Sequence, residues 1–184
     1  MIKFRNLLAD EIECRVQQVT DKSLVLLLYK NARCDMNILD ETVGTENWQR
    51  EHYECKGNLF CRVSLNIHFD DLNSSIVWVS KSDCGAESNT EKEKGEASDS
   101  FKRACVNWGI GRELYTAPVI RILLTDKNGK PNYSTYTKNG KPATYDKFAI
   151  EKIVITEDKK IKGVAIRNTT QDKRVFVWSA ENGN

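Results

Sequence analysis

Three basic side chains near the middle of the chain have types and spacing suited to binding phosphates. Lys94 lies two helical turns before Lys102, and Arg103 follows directly, so on a helix the three share one exposed face. Lys and Arg neutralise phosphates and release counterions, which gives sequence-independent binding to a nucleic-acid backbone. The alternative is a solvated helix face of mixed charge, because Glu96 and Asp99 fall on the same stretch. Periodicity alone favours that alternative.

Residues typical of catalysis form no recognisable constellation. Gly129-Lys130 and Gly140-Lys141 are each followed by proline and lack the upstream glycine of a P-loop. The adjacent carboxylates Asp70-Asp71 are better explained as part of a turn than as a magnesium site. His52 and His68 belong to no cluster of zinc ligands. We therefore expect no catalytic turnover and no cofactor or metal.

The six cysteines predict reduced, structural thiols rather than disulfides. The chain is long for a disulfide scaffold, it begins without a signal-peptide pattern, and no Cys-x-x-Cys pair occurs. Several of the cysteines sit among apolar neighbours, where a free thiol behaves as a small hydrophobe. They are Cys14, Cys34, Cys55, Cys61, Cys84 and Cys105.

The basic residues lie on the clearest predicted helix, which covers about 93–108. Thr90 and Glu93 fit a capping box at its start, and Gly109 fits the position after its end. One face is apolar, with side chains at positions 97, 101, 104, 105 and 108. Trp108 belongs to that face, so core packing explains it better than base stacking does. Trp48, which begins a predicted strand, is also interpreted as structural.

Strands flank this helix on both sides along the chain. Alternation and apolar runs predict a buried strand over 24–29 and an antiparallel meander over 48–53, 59–69 and 76–79. A short helix is expected over 37–43, ending at Gly44. One further turn is expected over 110–115.

The C-terminal third differs in charge and composition. Residues 126–184 hold 12 basic and 7 acidic side chains, against 16 and 19 in residues 1–125, so the net charge of +2 hides a basic region. Lys-Asn-Gly-Lys-Pro occurs at 127–131 and again at 138–142, which predicts two turns with a short strand over 133–137. Segments 148–155, 161–166 and 175–178 predict a second small meander. We expect two domains, a core over 1–125 and a basic β-rich extension over 126–184.

Composition excludes some classes of protein. At 184 residues, with 40% hydrophobic and 29% charged side chains, the chain can bury a core and is unlike a disordered one. No apolar run approaches the length of a membrane span, and the N-terminus is unlike a signal peptide. We expect a cytoplasmic protein with no membrane partner.

Two blocks of sequence carry a resemblance to a known family. The stretch from Lys94 to Tyr115, which continues past the helix as Gly109-Ile110-Gly111-Arg112-Glu113-Leu114-Tyr115, is similar to the signature helix of the Rad-fifty-two superfamily of single-strand annealing proteins. It is most similar to the bacterial and phage (Sak-like) branch, which implies a bacterial cell or a phage-infected host. Upstream, Tyr29-Lys30-Asn31-Ala32-Arg33 and the segment from Leu39 to Trp48 resemble the family's strand, arginine, short helix, glycine and tryptophan. The resemblance covers roughly residues 5–120.

The resemblance implies an α+β fold with a β-β-β-α core, and protomers that assemble into a ring or short helical filament. It implies single-stranded DNA in a positive groove, with Arg33, Lys94, Lys102 and Arg103 at backbone-contacting positions. Some relatives carry a further arginine where this chain has Val106. We expect other cations to replace it, and the candidates are Lys81 and Arg112.

These implications and the residue chemistry agree on one function. Annealing requires extended strands, reduced charge repulsion and free base edges, and backbone contacts alone can supply these. We expect ATP-independent annealing of complementary strands in recombination and double-strand break repair, with a single-stranded DNA-binding protein or a nuclease as a further partner. Two alternatives remain open: an end-protecting binder that does not anneal, and a general nucleic-acid or interaction module that uses the basic C-terminal third.

Overall fold

The strands and helices of the protein are taken from a computed structural model, which describes residues 2–67, 77–86 and 92–182. Its elements in chain order are β1 (Glu13–Val19), β2 (Ser23–Tyr29), α1 (Ala32–Val43), β3 (Trp48–Cys55), β4 (Asn58–Ile67), β5 (Val77–Cys84), α2 (Lys92–Trp108), β6 (Ile120–Leu123), β7 (Tyr136–Lys138), β8 (Lys141–Ala143), β9 (Phe148–Ile155), β10 (Ile161–Asn168) and β11 (Lys173–Ser179). The predicted Thr90 capping box, the Asp70-Asp71 turn, His68 and the inner ends of two predicted strands lie outside the described residues.

The chain divides into two compact units. The first, called here the helical unit, comprises Met1–Arg5 and Lys30–Arg112, and the second, the sheet unit, comprises Asn6–Tyr29 and Glu113–Asn184. Each unit is therefore formed from two segments that are separated in the sequence. The functional division expected at residue 125 stays a prediction. The boundaries of the compact units lie at other positions in the chain.

The helical unit contains an antiparallel meander covered by α2. The strand order is β3-β4-β5, with Trp48 opposite Leu65 and Val63 opposite Lys81. Alternate side chains of β4 are fully buried, including Val63 and Leu65, and α2 contributes the buried Phe101 to the same core. Burying such side chains stabilises the fold by about 1.5–3 kcal/mol each. The predicted β-β-β-α core is confirmed.

Helix α1 begins five residues earlier than the sequence predicted. Its N-cap is Asn31, whose side-chain oxygen accepts a hydrogen bond from Cys34 N at 3.0 Å, which satisfies one otherwise unpaired amide of the first turn. The helix ends at Gly44, as expected, with φ of 85°. The early start brings Arg33 into the first helical turn.

The sheet unit is built on six antiparallel strands in the order β11-β10-β9-β1-β2-β6. The predicted meander of β9, β10 and β11 is confirmed, and β2 matches the buried strand expected over 24–29. Pairing of Glu13 with Ala149 joins the N-terminal hairpin to this meander. Strands β1 and β6 were not predicted. The extra turn expected after α2 is a 3-10 helix over Arg112–Thr116.

The repeated pentapeptide forms two turns, as predicted. In the second copy, Asn139 and Gly140 both have positive φ, at 50° and 74°, which is the conformation of a two-residue hairpin loop. That loop joins β7 and β8. The strand expected over 133–137 begins only at Tyr136, and Tyr133 lies before it as a buried side chain.

All six cysteines carry free thiols. Within the described ranges, no helix is long and apolar enough to cross a membrane.

Candidate nucleic-acid interface

The exposed face of α2 carries Lys102 and Arg103, two of the three basic residues predicted from the sequence. Lys94 lies in the first turns, seven residues before the buried Phe101, and so on that side of the helix rather than on the expected common face. Lys94 and Arg103 are exposed, and the Lys102 side chain is 19% exposed. Lys94 and Lys102 are about 12 Å apart along the axis, at 1.5 Å per residue. Asp99 lies between them, with its carboxylate 2.7 Å from Arg103 Nε and 4.0 Å from Lys102 Nζ.

Glu96 does not add its charge to this face as expected. Its carboxylate accepts a hydrogen bond from the backbone N–H of Leu59 at 3.1 Å, so it is directed towards β4. A glutamate between Lys94 and Lys102 would otherwise have opposed phosphate binding. Of the two acids expected on this face, Glu96 is therefore directed away from it and Asp99 stays on it.

A buried ion pair connects the start of α1 to the middle of α2. Lys30 is paired with Asp35, and the two side chains are 4% and 0% exposed. Lys30 Nζ also donates to the backbone carbonyl of Lys102 at 3.3 Å. Arg33 lies three residues after Lys30 and is exposed. The pair thus anchors the turn of α1 that carries Arg33 beside the part of α2 that carries Lys102.

Burial dominates the electrostatics of this pair. It raises the pKa of the Asp35 carboxyl above its ordinary value, while the charges of Lys30 and then Lys102 act in the opposite direction. A buried carboxylate is costly unless it is paired and hydrogen-bonded. The pairing of Asp35 with Lys30 therefore fixes a position rather than supplying a large net stability.

Lys81 and Arg112 are placed at the C-terminal end of α2. Lys81 Nζ donates to the carbonyl of Asn107 at 2.8 Å, and the Arg112 guanidinium donates to the same carbonyl at 3.1 Å and to that of Val106 at 3.0 Å. Cations at a helix C-terminus satisfy free carbonyls and complement the helix dipole. The structure therefore gives both side chains a capping role, and DNA contact by either stays a prediction.

Trp48 and Trp108 of the helical unit are structural, as expected. Trp48 donates its indole N–H to Asp40 at 2.6 Å and stacks on Phe101 with ring centroids 6.1 Å apart. Trp108 donates to the carbonyl of Val63 at 3.0 Å. Each indole N–H is thus used inside the fold, which is the usual arrangement for a partly buried tryptophan.

Two features of this surface were not found from the sequence. Arg50 on β3 is exposed, and its guanidinium lies 4.7 Å from the centre of the Phe101 ring. Gly85 approaches α2 so closely that a Cβ there would lie 2.2 Å from the Glu96 carbonyl oxygen. Alternation along β3 could have placed Arg50 on the face that meets α2. No local signal marks Gly85, since its constraint comes from another element.

The arrangement offers cations rather than reactive groups. Among residues 2–67, 77–86 and 92–182, no three His, Cys, Asp or Glu side chains come together as metal ligands would. The helical unit is thus a β-β-β-α protein whose covering helix presents lysine and arginine to solvent, a surface suited to phosphate.

A family model identified the family to which the chain belongs. The model described as Rad52/22 family double-strand break repair protein matches residues 5–133, which is more than half of the chain. The protein belongs to this family, and membership connects it to DNA double-strand break repair and recombination. No curated protein and no solved structure matched the chain.

Proposed function

We propose that this protein binds single-stranded DNA without ATP and anneals complementary strands during double-strand break repair. The observation that carries the proposal is the exposed cationic face of α2, anchored beside Arg33 of α1, in a chain that belongs to the Rad52/22 family. The groove residues are Arg33, Lys94, Lys102 and Arg103.

The chemistry of the face suits a backbone contact that can form and break readily. Arg103 is 46% exposed and its partner Asp99 is 28% exposed. Exposed ion pairs of this kind contribute only about 0.2–1 kcal/mol, so exchanging the carboxylate for a phosphate costs little. Bases stay free to find a complement, because the side chains hold only the backbone.

Annealing of long strands also requires many such contacts. A homo-oligomer, as a ring or short helical filament, would repeat the groove and bind one strand at many weak points, which raises avidity without new contacts. We place the protein in the bacterial and phage branch of the family and in the cytoplasm. We infer that it performs no catalytic turnover. A single-stranded DNA-binding protein or a nuclease of the same recombination system is its proposed further partner.

The experiment that tests the groove compares salt dependence of binding. Replacing both Lys102 and Arg103 by Ala should weaken binding to a single-stranded oligonucleotide. It should also reduce the slope of log K against log salt by about 0.7 per lost phosphate contact. Lys56→Asn is the control, since it removes one exposed cation from the β3–β4 turn, where φ is 53° and Asn is tolerated. An unchanged slope in a folded double variant would refute the groove.

A second measurement separates annealing from end protection. The purified protein is mixed with two complementary fluorescent oligonucleotides in the absence of ATP. Faster duplex formation than in protein-free buffer supports annealing, and loss of that acceleration in Lys102→Ala/Arg103→Ala assigns it to the groove. Tight binding with no acceleration would identify an end-protecting binder instead.

A further inference from the structure

A stacked pair of tyrosines lies on the surface of the sheet unit. The rings of Tyr136 and Tyr145 are 4.0 Å apart between centroids and nearly parallel, at 3°. Tyr145 is 77% exposed, so the ring face turned away from Tyr136 is open to solvent. An open, flat aromatic face of this kind is what a nucleobase stacks on.

Buried residues that precede and follow the tyrosine pair in the sequence anchor its loop. Directly after Tyr145, the carboxylate of Asp146 is buried and accepts hydrogen bonds from Asn168 Nδ2 at 2.7 Å and from Ser134 N at 3.0 Å. Before the pair, Tyr133 is fully buried. Because the surrounding loop is anchored, stacking of a ligand on Tyr145 would not carry the free-energy cost of ordering that loop.

The segment that contains the stacked pair is rich in exposed lysines. Residues 126–147 hold five lysines and two acidic residues. Both acids are occupied, since Asp126 pairs with Lys173 at 2.9 Å and Asp146 accepts the bonds described above. All five lysines are exposed, and none has an ion-pair partner in the part of the chain that the structure describes: Lys127, Lys130, Lys138, Lys141 and Lys147.

Two of these lysines oppose each other across the hairpin. Lys138 of β7 pairs in register with Lys141 of β8, next to the pair of Thr137 with Pro142. Like charges directly opposite each other destabilise a strand pair. A bound phosphate would relieve that repulsion. Tyr136 lies two residues before Lys138 on β7 and so on the same side of the hairpin.

We propose that the hairpin of β7 and β8 is a second binding surface for single-stranded nucleic acid, on which a base stacks against Tyr145 while Lys138 and Lys141 bind the adjoining phosphates. The proposal deepens the proposed function and rests on it for the class of ligand. The hairpin lies beyond residue 133, where the family match ends, so it belongs to this chain's own extension. Duplex DNA fits less well, because its bases are already stacked on one another.

The experiment uses the full-length protein and a labelled oligo-dT strand, with an abasic strand of equal length as a second probe. Tyr145→Ala should weaken binding to oligo-dT about fivefold or more, with no change in salt slope, and should not affect the abasic strand. Tyr145→Phe keeps the ring and should bind as the wild type does. Tyr115→Ala is the control, because Tyr115 is 72% exposed in the same unit and is no part of the stacked pair. Lys138→Ala/Lys141→Ala should lower the salt slope for both probes.

The outcomes separate this surface from the groove on α2. If Tyr145→Ala binds oligo-dT like the wild type while Lys102→Ala/Arg103→Ala is weakened, the stacking surface is wrong and the proposed function stands. If only Tyr145→Ala binds oligo-dT more weakly than the wild type, the stacking surface stands and the proposed groove on α2 is wrong. Equal weakening for oligo-dT and the abasic strand would overturn base stacking. If Tyr145→Ala weakens binding of an acidic peptide as much as it weakens binding of oligo-dT, the assignment of the surface to nucleic acid is wrong.

Discussion

Arg103 Nε lies 2.7 Å from Asp99 Oδ2, one helical turn earlier on α2. The acid precedes the base at i and i+4, the orientation that stabilises a helix. The same carboxylate lies 4.0 Å from Lys102 Nζ. The proposed groove therefore contains an anion that competes with DNA phosphate for both of its central cations.

Removing that anion should strengthen DNA binding. Asp99→Asn keeps an oxygen that can accept from Ala86 N, which now donates to Asp99 Oδ2 at 3.1 Å. Because an exposed pair is worth about 0.2–1 kcal/mol, we expect single-stranded DNA affinity to rise about two- to fivefold at 50 mM salt, and less at high salt. Fluorescence anisotropy across a salt series measures this.

The control for this variant is Glu51→Gln. It removes one negative charge from the same unit by breaking the pair of Glu51 with Arg62, whose atoms are 3.0 Å apart. If both variants raise the affinity equally, the effect comes from net charge, and Asp99 does not compete with phosphate in the groove.

Gly85 should tolerate no side chain. A Cβ at this position would lie 2.2 Å from the carbonyl oxygen of Glu96 and 2.9 Å from Ser100 N, both backbone atoms of α2. Backbone cannot move aside as a flexible side chain does, so Gly85→Ala should destabilise the protein by about 2–3 kcal/mol, as overpacking does. Urea denaturation followed by tryptophan fluorescence measures the loss.

A second glycine variant separates crowding from backbone strain. Gly57 has φ of 74°, but no atom lies within 4 Å of the position that a Cβ would occupy there. Gly57→Ala should therefore cost only the conformational penalty, about 1 kcal/mol. Equal losses at Gly57 and Gly85 would show that α2 does not pack on Gly85 as described.

Local pattern predicted the helical unit well. The spacing of Phe101, Ala104 and Cys105 fixes which face of α2 is buried, and all three are fully buried. Alternation in β4 likewise predicted the buried Val63. These features depend on neighbours within a few residues, which a periodic pattern records.

Long-range pairing was beyond the reach of such patterns. Glu13 pairs with Ala149 across more than one hundred residues, and nothing in either strand specifies that partner. Nor does spacing reveal that Glu96 bonds to Leu59 N, or that Lys30 and Asp35 are buried together. The cationic residues of the site and the acid Asp99 beside them could be named from the sequence, but the backbone carbonyls to which Lys81 and Arg112 donate could not.

Thiol reactivity should follow burial. Burial raises the pKa of Cys61 to about 11 and of Cys14 to about 12. Thiolate is the reactive form, so at pH 8 only roughly one Cys61 thiol in a thousand is ionised. Cys55 is exposed and should react first with iodoacetamide. Peptide mass spectrometry over a time course measures this, and urea should abolish the difference. Labelling of Cys61 as fast as Cys55 in the folded protein would contradict the structure.

The buried pair of Lys30 and Asp35 should show its coupling through pH. Lys30→Met leaves the Asp35 carboxyl buried without its partner, which should destabilise the protein at pH 7 by about 3 kcal/mol. Burial already raises the pKa of Asp35, and loss of Lys30 removes a charge that lowers it. The folded variant therefore binds a proton more readily than the unfolded chain, whose carboxyl titrates near pH 3.9. The contribution of this carboxyl to stability should therefore be greatest near and below pH 4 and fall as the pH rises towards neutrality, so the variant should lose stability between pH 4 and pH 8 more steeply than the wild type.

Replacing both members of the pair tests the same relationship from the other side. Lys30→Met/Asp35→Leu removes both buried charges and keeps an unbranched and a branched side chain at the two positions, so its stability at pH 7 should return towards that of the wild type. The extra pH dependence of Lys30→Met should disappear with the carboxyl. Urea midpoints between pH 4 and pH 8 for the wild type and the two variants give both results. If the double variant is as unstable as Lys30→Met, the loss comes from disturbed packing where Lys30 bonds to the Lys102 carbonyl, and not from an unpaired buried carboxylate.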